Sequence, residues 1–392
     1  MDNPASCQVK LFVFYKIFTQ SFFDRLYKSL SPWYNLSMKA KTKTYFEERE
    51  ISCTDRTNLI VEELPYYVRD FFVGVEQRTS PLTRLNYAYD LRVFYDFLSK
   101  KVFRGKTIAD IELKDLDALT AADIEYFLSY LSHYSINDKE ERCTETGKSR
   151  KLSTLRAFYK YFFNKNLLSA NTPTKVSMPK LHDKEIVRLE SNDKKDEIGD
   201  MLYVVQSGNG LTRRQLLFHN GTALRDTAIV TLFLGTGIRI SELVGLNIED
   251  FDFDSQSFVV TRKGGNRAVL YYNDQVEYAL KQYLDSRMAN DKVPPSERAF
   301  FLSLQNRRIS TRQVQELVKK YARIVSPLKK ITPHKLRSTF GTSLYRQTGD
   351  IYVVADCLGH KDVNTTKKHY AAITDDVRKK AGKGMFIGKK DD

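Results

Sequence analysis

The sequence predicts a mainly α chain with a small antiparallel β-sheet (α+β), arranged as a helical bundle followed by a larger domain that carries the sheet. Three observations predict it. Apolar residues recur at helical spacing in successive segments from about residue 60 to residue 163. Two runs rich in β-branched and aromatic residues, SFVVT and RAVLYY, are joined by Lys263, Gly264, Gly265 and Asn266, which reads as a β-hairpin. Between bundle and hairpin the stretch NTPTKVSMPKLHDKE loses all periodicity and reads as an extended basic linker.

The elements follow in order. Residues 1–59 form an N-terminal extension, in part disordered. Its apolar stretch LFVFYKIF is short, broken by Lys16 and lacks a small-residue cleavage site, so it does not read as a signal peptide, and Met38 is an alternative start. Residues 60–165 form the bundle. In ELPYYVRDFFVGVEQ, Leu64, Val68, Phe71 and Phe72 share a stripe. Ser80 and Pro81 are an N-cap and a first helical residue, and Leu85, Tyr89, Leu91, Phe94 and Leu98 follow at helical spacing. Thr120 opens a helix with Ile124, Phe127, Leu128 and Leu131 on one face, and residues 148–164 are a basic, aromatic amphipathic helix. The aromatic stripes read as core, leaving exposed Arg and Lys beside them to meet phosphate. Residues 166–190 are the linker, which either tracks a polyanionic partner or is an ordinary solvated connector. Residues 191–388 make the second domain. Its helices include GDMLYVVQ, a buried run after Asp226 as N-cap, IRISELVGL, 274–288 and 310–324, and IEDFDF adds a third strand to the hairpin.

Composition narrows the partners. The length of 392 residues suggests two or three domains, and the formal net charge of +15 favours nucleic acid. An acidic membrane surface fits less well, because the basic residues are spread along the chain. No uninterrupted apolar run reaches the ~18 residues of a membrane span. Cys7, Cys53, Cys143 and Cys357 are scattered, as expected of reduced thiols in a cytosolic protein. With six His and no Cys/His cluster, neither a structural zinc nor another cofactor is expected.

Chemistry concentrates between residues 332 and 373. Thr332 suits an N-cap and Pro333 the first helical turn, and His334 and Arg337 stand three apart on one helix. IYVVADCL reads as a short buried helix that Gly359 stops, leaving His360 at its end; Asn364 can cap a last helix carrying His369 and Tyr370. Two imidazoles, a guanidinium and a phenol suit work on a phosphate: Arg grips two oxygens, His moves a proton and Tyr attacks. Singly, each has a plainer meaning. His334 is most often a satisfied helix histidine, and Tyr370 is one of 23 tyrosines.

HKLR, then LGH, then a Tyr in a short helix resembles the signature of the tyrosine recombinase (phage integrase) family. Upstream, GTGIRISEL resembles the motif that carries the family's first catalytic arginine, here Arg239, with Glu242 placed to pair with a neighbouring Arg or His. In TRKGGN, Lys263 matches the family's hairpin lysine. The resemblance runs from about residue 63 onward. LPYYVRDFFVGVEQ and IADIELKDLDALTAADIEYFLSYL look most like the core-binding domain of Xer recombinases that act without a partner paralogue, the XerS type. Two departures stand out. Ser338 occupies a place where many relatives have a second His, and Tyr370 lies ten residues after His360, where many have nine.

The resemblance implies a core-binding bundle, a tyrosine-recombinase catalytic domain and the set Arg239, Lys263, His334, Arg337, His360 and Tyr370, with Tyr370 as nucleophile forming a 3′-phosphotyrosyl link. It implies neither ATP nor metal. The expected partner is double-stranded DNA with a specific recombination site, bound by four protomers on two sites, in a bacterial cytoplasm at the nucleoid. Resolution of chromosome dimers competes with integration and excision of a mobile element. A non-catalytic DNA-binding protein, a type IB topoisomerase and an RNA-acting protein are weaker readings; no RRM- or KH-like motif supports the last. The tail after Tyr370, with Met385, Phe386 and Ile387 among lysines, either docks on a neighbouring protomer or frays.

Overall fold

A computed structural model describes residues 44–136, 139–180, 187–192, 195–262 and 265–359. The chain falls into two compact units that part between Pro179 and Lys180.

In the first unit, α1 (Tyr45–Glu62) opens with a capping box: Thr44 Oγ1 accepts from the Glu47 N–H at 3.3 Å, and the Glu47 carboxylate accepts from the Thr44 N–H at 2.7 Å. The expected boundary at residue 60 therefore falls inside a helix. Its inward side is made of Cys53, Thr57, Ile60 and Val61, too few of them strongly apolar to stand out in sequence. Pro65 lies between α1 and α2 (Val68–Val75), so Leu64, Val68, Phe71 and Phe72 are all buried, but Leu64 sits in the connecting turn and only the other three share a helix. Next come α3 (Pro81–Phe97), α4 (Leu113–Asp117) and α5 (Ala121–Tyr130). A small hairpin without an apolar pattern, β1 (Tyr134–Ile136) and β2 (Lys139–Glu141), leads to α6 (Glu145–Phe163). The caps read from sequence hold: Ser80 Oγ accepts from the Thr83 N–H at 3.3 Å, and Thr120 and Asp123 cap α5 reciprocally.

Aromatic rings form this unit's core. Phe71, Phe94, Phe127, Phe158 and Phe162 are fully buried, with edge-to-face pairs such as Phe94–Phe127 and Phe158–Phe162 at 5.1 Å. The buried hydroxyls are satisfied: Tyr67 and Tyr95 pair at 2.8 Å, and Tyr159 donates to the Leu116 carbonyl at 3.2 Å. Asp90 on α3, 1% exposed, accepts from Arg150 (2.5 Å), Lys151 (3.1 Å) and Thr154 (2.8 Å) on α6. Part of the expected linker belongs here too. Leu168, Pro173 and Val176 are buried, and Arg156 donates to the carbonyls of Pro173 (3.1 Å) and Val176 (2.6 Å). Backbone carbonyls bound by a side chain leave no periodic trace in sequence, so this stretch read as an extended linker.

The second unit begins with a short hairpin, β3 (Ser191–Asn192) and β4 (Lys195–Asp196), followed by α7 (Glu197–Ser207), α8 (Arg213–His219), α9 (Ala223–Thr236) and α10 (Ile240–Gly245). Strands β5 (Phe251–Asp252), β6 (Ser257–Thr261) and β7 (Arg267–Tyr271) form the expected antiparallel sheet in that order. The register pairs Ser257 with Tyr271 and Thr261 with Arg267. Helices α11 (Asp274–Met288), α12 (Thr311–Val325), α13 (Pro333–Thr348) and α14 (Ile351–Leu358) complete it. Helix α9 packs against α7, α11 and α13, and Ala228, Ile229, Val230, Leu232 and Phe233 are fully buried around its circumference. Asp226 does not cap it. Thr222 holds the cap position, one turn earlier, and the buried Asp226 carboxylate accepts from Arg225 (2.7 Å), Lys320 (3.1 Å) and Tyr321 (2.8 Å), tying α9 to α12.

Glu197 at the start of α7 anchors the segment that leads into this unit. It is fully buried, and its carboxylate accepts from the Glu190 N–H (2.8 Å), Lys195 (2.6 Å), Lys329 (2.7 Å) and the Ser326 hydroxyl. Burial alone would raise its pKa, but these hydrogen bonds outweigh burial and hold it at about 2.

A folded-state pKa below the unfolded value stabilises above the unfolded pKa and loses that contribution as the pH falls. Glu197→Gln should therefore cost about 3 kcal/mol at pH 7. The gap to wild type should close between pH 4.5 and about 2, as urea melts across pH would show. In the first unit, Asp90→Ala leaves Lys151 buried without its counter-ion. It should lower the stability of that unit by about 3–5 kcal/mol, read as an earlier unfolding transition.

Candidate active site

The described part of the site is built on three helix ends. Helix α9 closes on Gly237, whose φ of +62° is left-handed. A Cβ there would lie 3.0 Å from Leu358 Cδ2 and collide with the Phe340 ring, so only glycine lets this turn approach α13 and α14 so closely. Two residues on, Arg239 occupies the N-cap position of α10 in extended conformation. Its backbone N–H donates to Glu242 Oε2 at 3.0 Å and its Nη1 to Glu242 Oε1 at 2.8 Å. Glu242 is buried, and the pair fixes the guanidinium's direction, as the motif suggested. The remaining arm, Nη2, donates to the Gly359 carbonyl at 2.9 Å.

Arg337 arrives from α13. Thr332 takes the N-cap position there without a side-chain cap bond, and Pro333 begins the helix. His334, in the first turn, is exposed, whereas Arg337 one turn on is 6% exposed. The Arg337 fork donates through Nη1 to the Gly237 carbonyl and through Nη2 to the Leu358 carbonyl. Helix α14 is capped by Asp350, which accepts from the Tyr352 N–H at 2.7 Å, and ends at Gly359 with φ +57°. Its last carbonyls carry the helix's partial negative charge, which suits guanidinium donors.

Arg239 and Arg337 therefore meet on consecutive carbonyls, Leu358 and Gly359, immediately before His360 in the chain. Consecutive residues lie about 3.8 Å apart, so two forks held this way can grip the oxygens of one tetrahedral anion. A third guanidinium stands close by. Arg262, at the end of β6 and immediately before Lys263, fills the space a Cβ on Gly359 would need, with Nη2 2.8 Å from that position. Burial raises the Cys357 thiol pKa, Asp356 adds to the rise, and Arg262 opposes it, so the guanidinium's charge is felt across this turn. Sequence reading passed over Arg262; its one signal was its place beside Lys263 in TRKGGN. It also missed Thr339, whose Oγ1 accepts from the Leu189 N–H at 3.1 Å and ties the segment entering this unit to the helix of Arg337.

Lys263, His360 and Tyr370 lie outside the described residues, as do Asn364, His369, the tail with Met385, Phe386 and Ile387, and residues 1–43. Among the described residues no group of His, Cys, Asp and Glu could hold a metal ion, and no helix is long and apolar enough to cross a membrane.

The chain resembles known proteins. The phage integrase family pattern matches residues 210–376, and that of the phage integrase N-terminal SAM-like domain matches residues 70–166. The tyrosine recombinase XerC of Caldanaerobacter subterraneus subsp. tengcongensis is 34% identical over 313 residues, covering 76% of this chain and 80% of that protein. The tyrosine recombinase XerS of Streptococcus agalactiae is 30% identical over 353 residues, covering 83% of this chain and 97% of its own length. Among solved structures, the XerH site-specific recombinase bound to a palindromic difH substrate shares the fold, with a TM-score of 0.59 at 15% identity over 89% of this chain and 92% of that one. The chain belongs to the phage integrase family of tyrosine recombinases, enzymes that cut and rejoin DNA strands.

Proposed function

We propose that this protein is a site-specific recombinase of the Xer type that resolves chromosome dimers, with Arg239, Lys263, His334, Arg337, His360 and Tyr370 as its catalytic set. The observation that carries the reading is the meeting of Arg239 and Arg337 on the Leu358 and Gly359 carbonyls, beside His360 in sequence. A scissile phosphate replaces those carbonyls as acceptor. Glu242 keeps Arg239 aimed while Nη2 changes partner, and the Gly237 carbonyl does the same for Arg337.

The steps follow from the chemistry of each group. Tyr370 Oη attacks the phosphorus, and its proton passes toward His334. The P–O5′ bond breaks, and Lys263 supplies the proton that makes the leaving oxygen a hydroxyl. Arg239, Arg337 and His360 neutralise charge that develops on the non-bridging oxygens. The 5′-hydroxyl of the partner strand then attacks the 3′-phosphotyrosine and regenerates the phenol, so the energy of the broken bond is kept in the covalent link. Residues 60–165 would serve as the core-binding domain and residues 191–388 as the catalytic domain, four protomers joining two double-stranded DNA sites. The match to XerS over nearly its whole length favours dimer resolution over integration of a mobile element.

On nicked suicide DNA, Tyr370→Phe should bind as wild type does and give no covalent adduct on a denaturing gel. An adduct at normal yield would remove Tyr370 as nucleophile. Arg337→Ala should slow single-turnover cleavage by about 10²–10³-fold, the usual effect of losing one charged donor to the transition state. Sequencing DNA trapped on the wild-type protein in cells separates the biological roles. One chromosomal site remote from the gene fits dimer resolution, whereas junctions flanking the gene would make the protein an element integrase.

A further inference from the structure

We propose that Arg262 is a positioning residue for strand cleavage: its guanidinium, seated on Gly359, locks the β6–β7 hairpin that carries Lys263 to the helix end that carries His360. The inference rests on the proposed role of Lys263 and adds a residue to it.

The hairpin needs such a lock. Its turn is closed by the Arg262 N–H donating to the Asn266 carbonyl (2.7 Å) and the Gly265 N–H donating to the Arg262 carbonyl (3.1 Å). Beyond that, among the described residues of its tip, Gly265, with φ +78°, has no atom other than those of its chain neighbours within 4 Å of where a Cβ would stand, and Asn266 and Arg267 are exposed. Misplacement of a general acid by about 1 Å can cost 10²-fold in rate.

Arg262 supplies a contact at the base of that tip. It lies against the Cα of Gly359, whose carbonyl holds Arg239 and whose neighbour Leu358 holds Arg337. Gly359 fits twice over: its φ of +57° disfavours a side chain, and a Cβ would displace the guanidinium. The arginine is not placed for hydrogen bonding alone, since its Nε is buried with no partner among the described residues. Leaving a buried donor unpaired weakens a fold, so this seat is better explained by what it aligns than by stability. A flat guanidinium can lie on a glycine Cα; the compact ammonium of a lysine cannot reproduce that contact.

The test uses full-length protein and nicked DNA carrying the sequence trapped in cells, in two forms: an ordinary scissile phosphate and one with sulfur in place of the 5′-bridging oxygen. Sulfur leaves as a thiolate when the P–S bond breaks, so it needs no proton from a general acid. Arg262→Ala should slow cleavage of ordinary DNA by about 100-fold without weakening DNA binding. Sulfur-bridged DNA should restore it to near the wild-type rate, as it restores Lys263→Ala, and Arg262→Lys should behave as the alanine variant does. If Arg262→Ala melts earlier than wild type, Arg262→Gln, which keeps the chain length, repeats the comparison. Wild-type cleavage by Arg262→Ala, or equal slowing on both DNAs while Lys263→Ala is rescued, would overturn the role of Arg262 alone. No rescue of Lys263→Ala, or no adduct from the wild-type protein, would overturn the underlying reading and this inference with it.

Discussion

The carbonyl end of helix α14 is the feature on which the candidate site depends. Its last two carbonyls, Leu358 and Gly359, bind Arg337 and Arg239, which come from different helices and from distant parts of the chain. Guanidiniums brought together repel one another, and a buried one left unpaired is costly. The helix end offsets both effects, because its carbonyls are aligned, unsatisfied within the helix and partially negative. A helix that stopped a residue earlier, or without the left-handed turn at Gly359, would not present that pair of acceptors.

Everything around this helix end serves to keep it in register. Gly237 brings the end of α9 against Leu358 and Phe340 and lends Arg337 a second carbonyl. Asp226 fastens α9 to α12 through Lys320 and Tyr321, and Thr339 fastens α13 to Leu189. Glu197 anchors the same incoming segment to the end of α12 through Ser326 and Lys329. These buried carboxylates are fully partnered, so each holds its helices in one arrangement as well as adding stability. In the proposed mechanism, substrate then replaces the carbonyls as acceptors without the arginines having to search for it.

The first unit solves a different problem. Its core is filled by aromatic rings at edge-to-face distances, with tyrosine hydroxyls paired among themselves or with backbone. The aromatic stripes of α3, α5 and α6 are thus spent on packing. Of the basic residues on α6, Lys151 is buried on Asp90, while Arg150, which also bonds Asp90, is exposed at the surface.

Much of this was legible in the sequence because the signals are local. Ser80 with Pro81, Thr120 with Asp123, the hairpin turn before Asn266 and the pairing of Arg239 with Glu242 involve residues a few positions apart, and each residue type has a distinct physical reason to be there. What the sequence could not carry is what backbone and distance decide. Helix α1 hides because Cys53 and Thr57 fill inward positions, and Asp226 looks like a cap until α12 is packed against it. The acceptors that gather Arg239 and Arg337 are main-chain atoms. Every residue has a carbonyl, so no letter of the sequence marks the ones that matter; only the tertiary path of α9, α13 and α14 selects them.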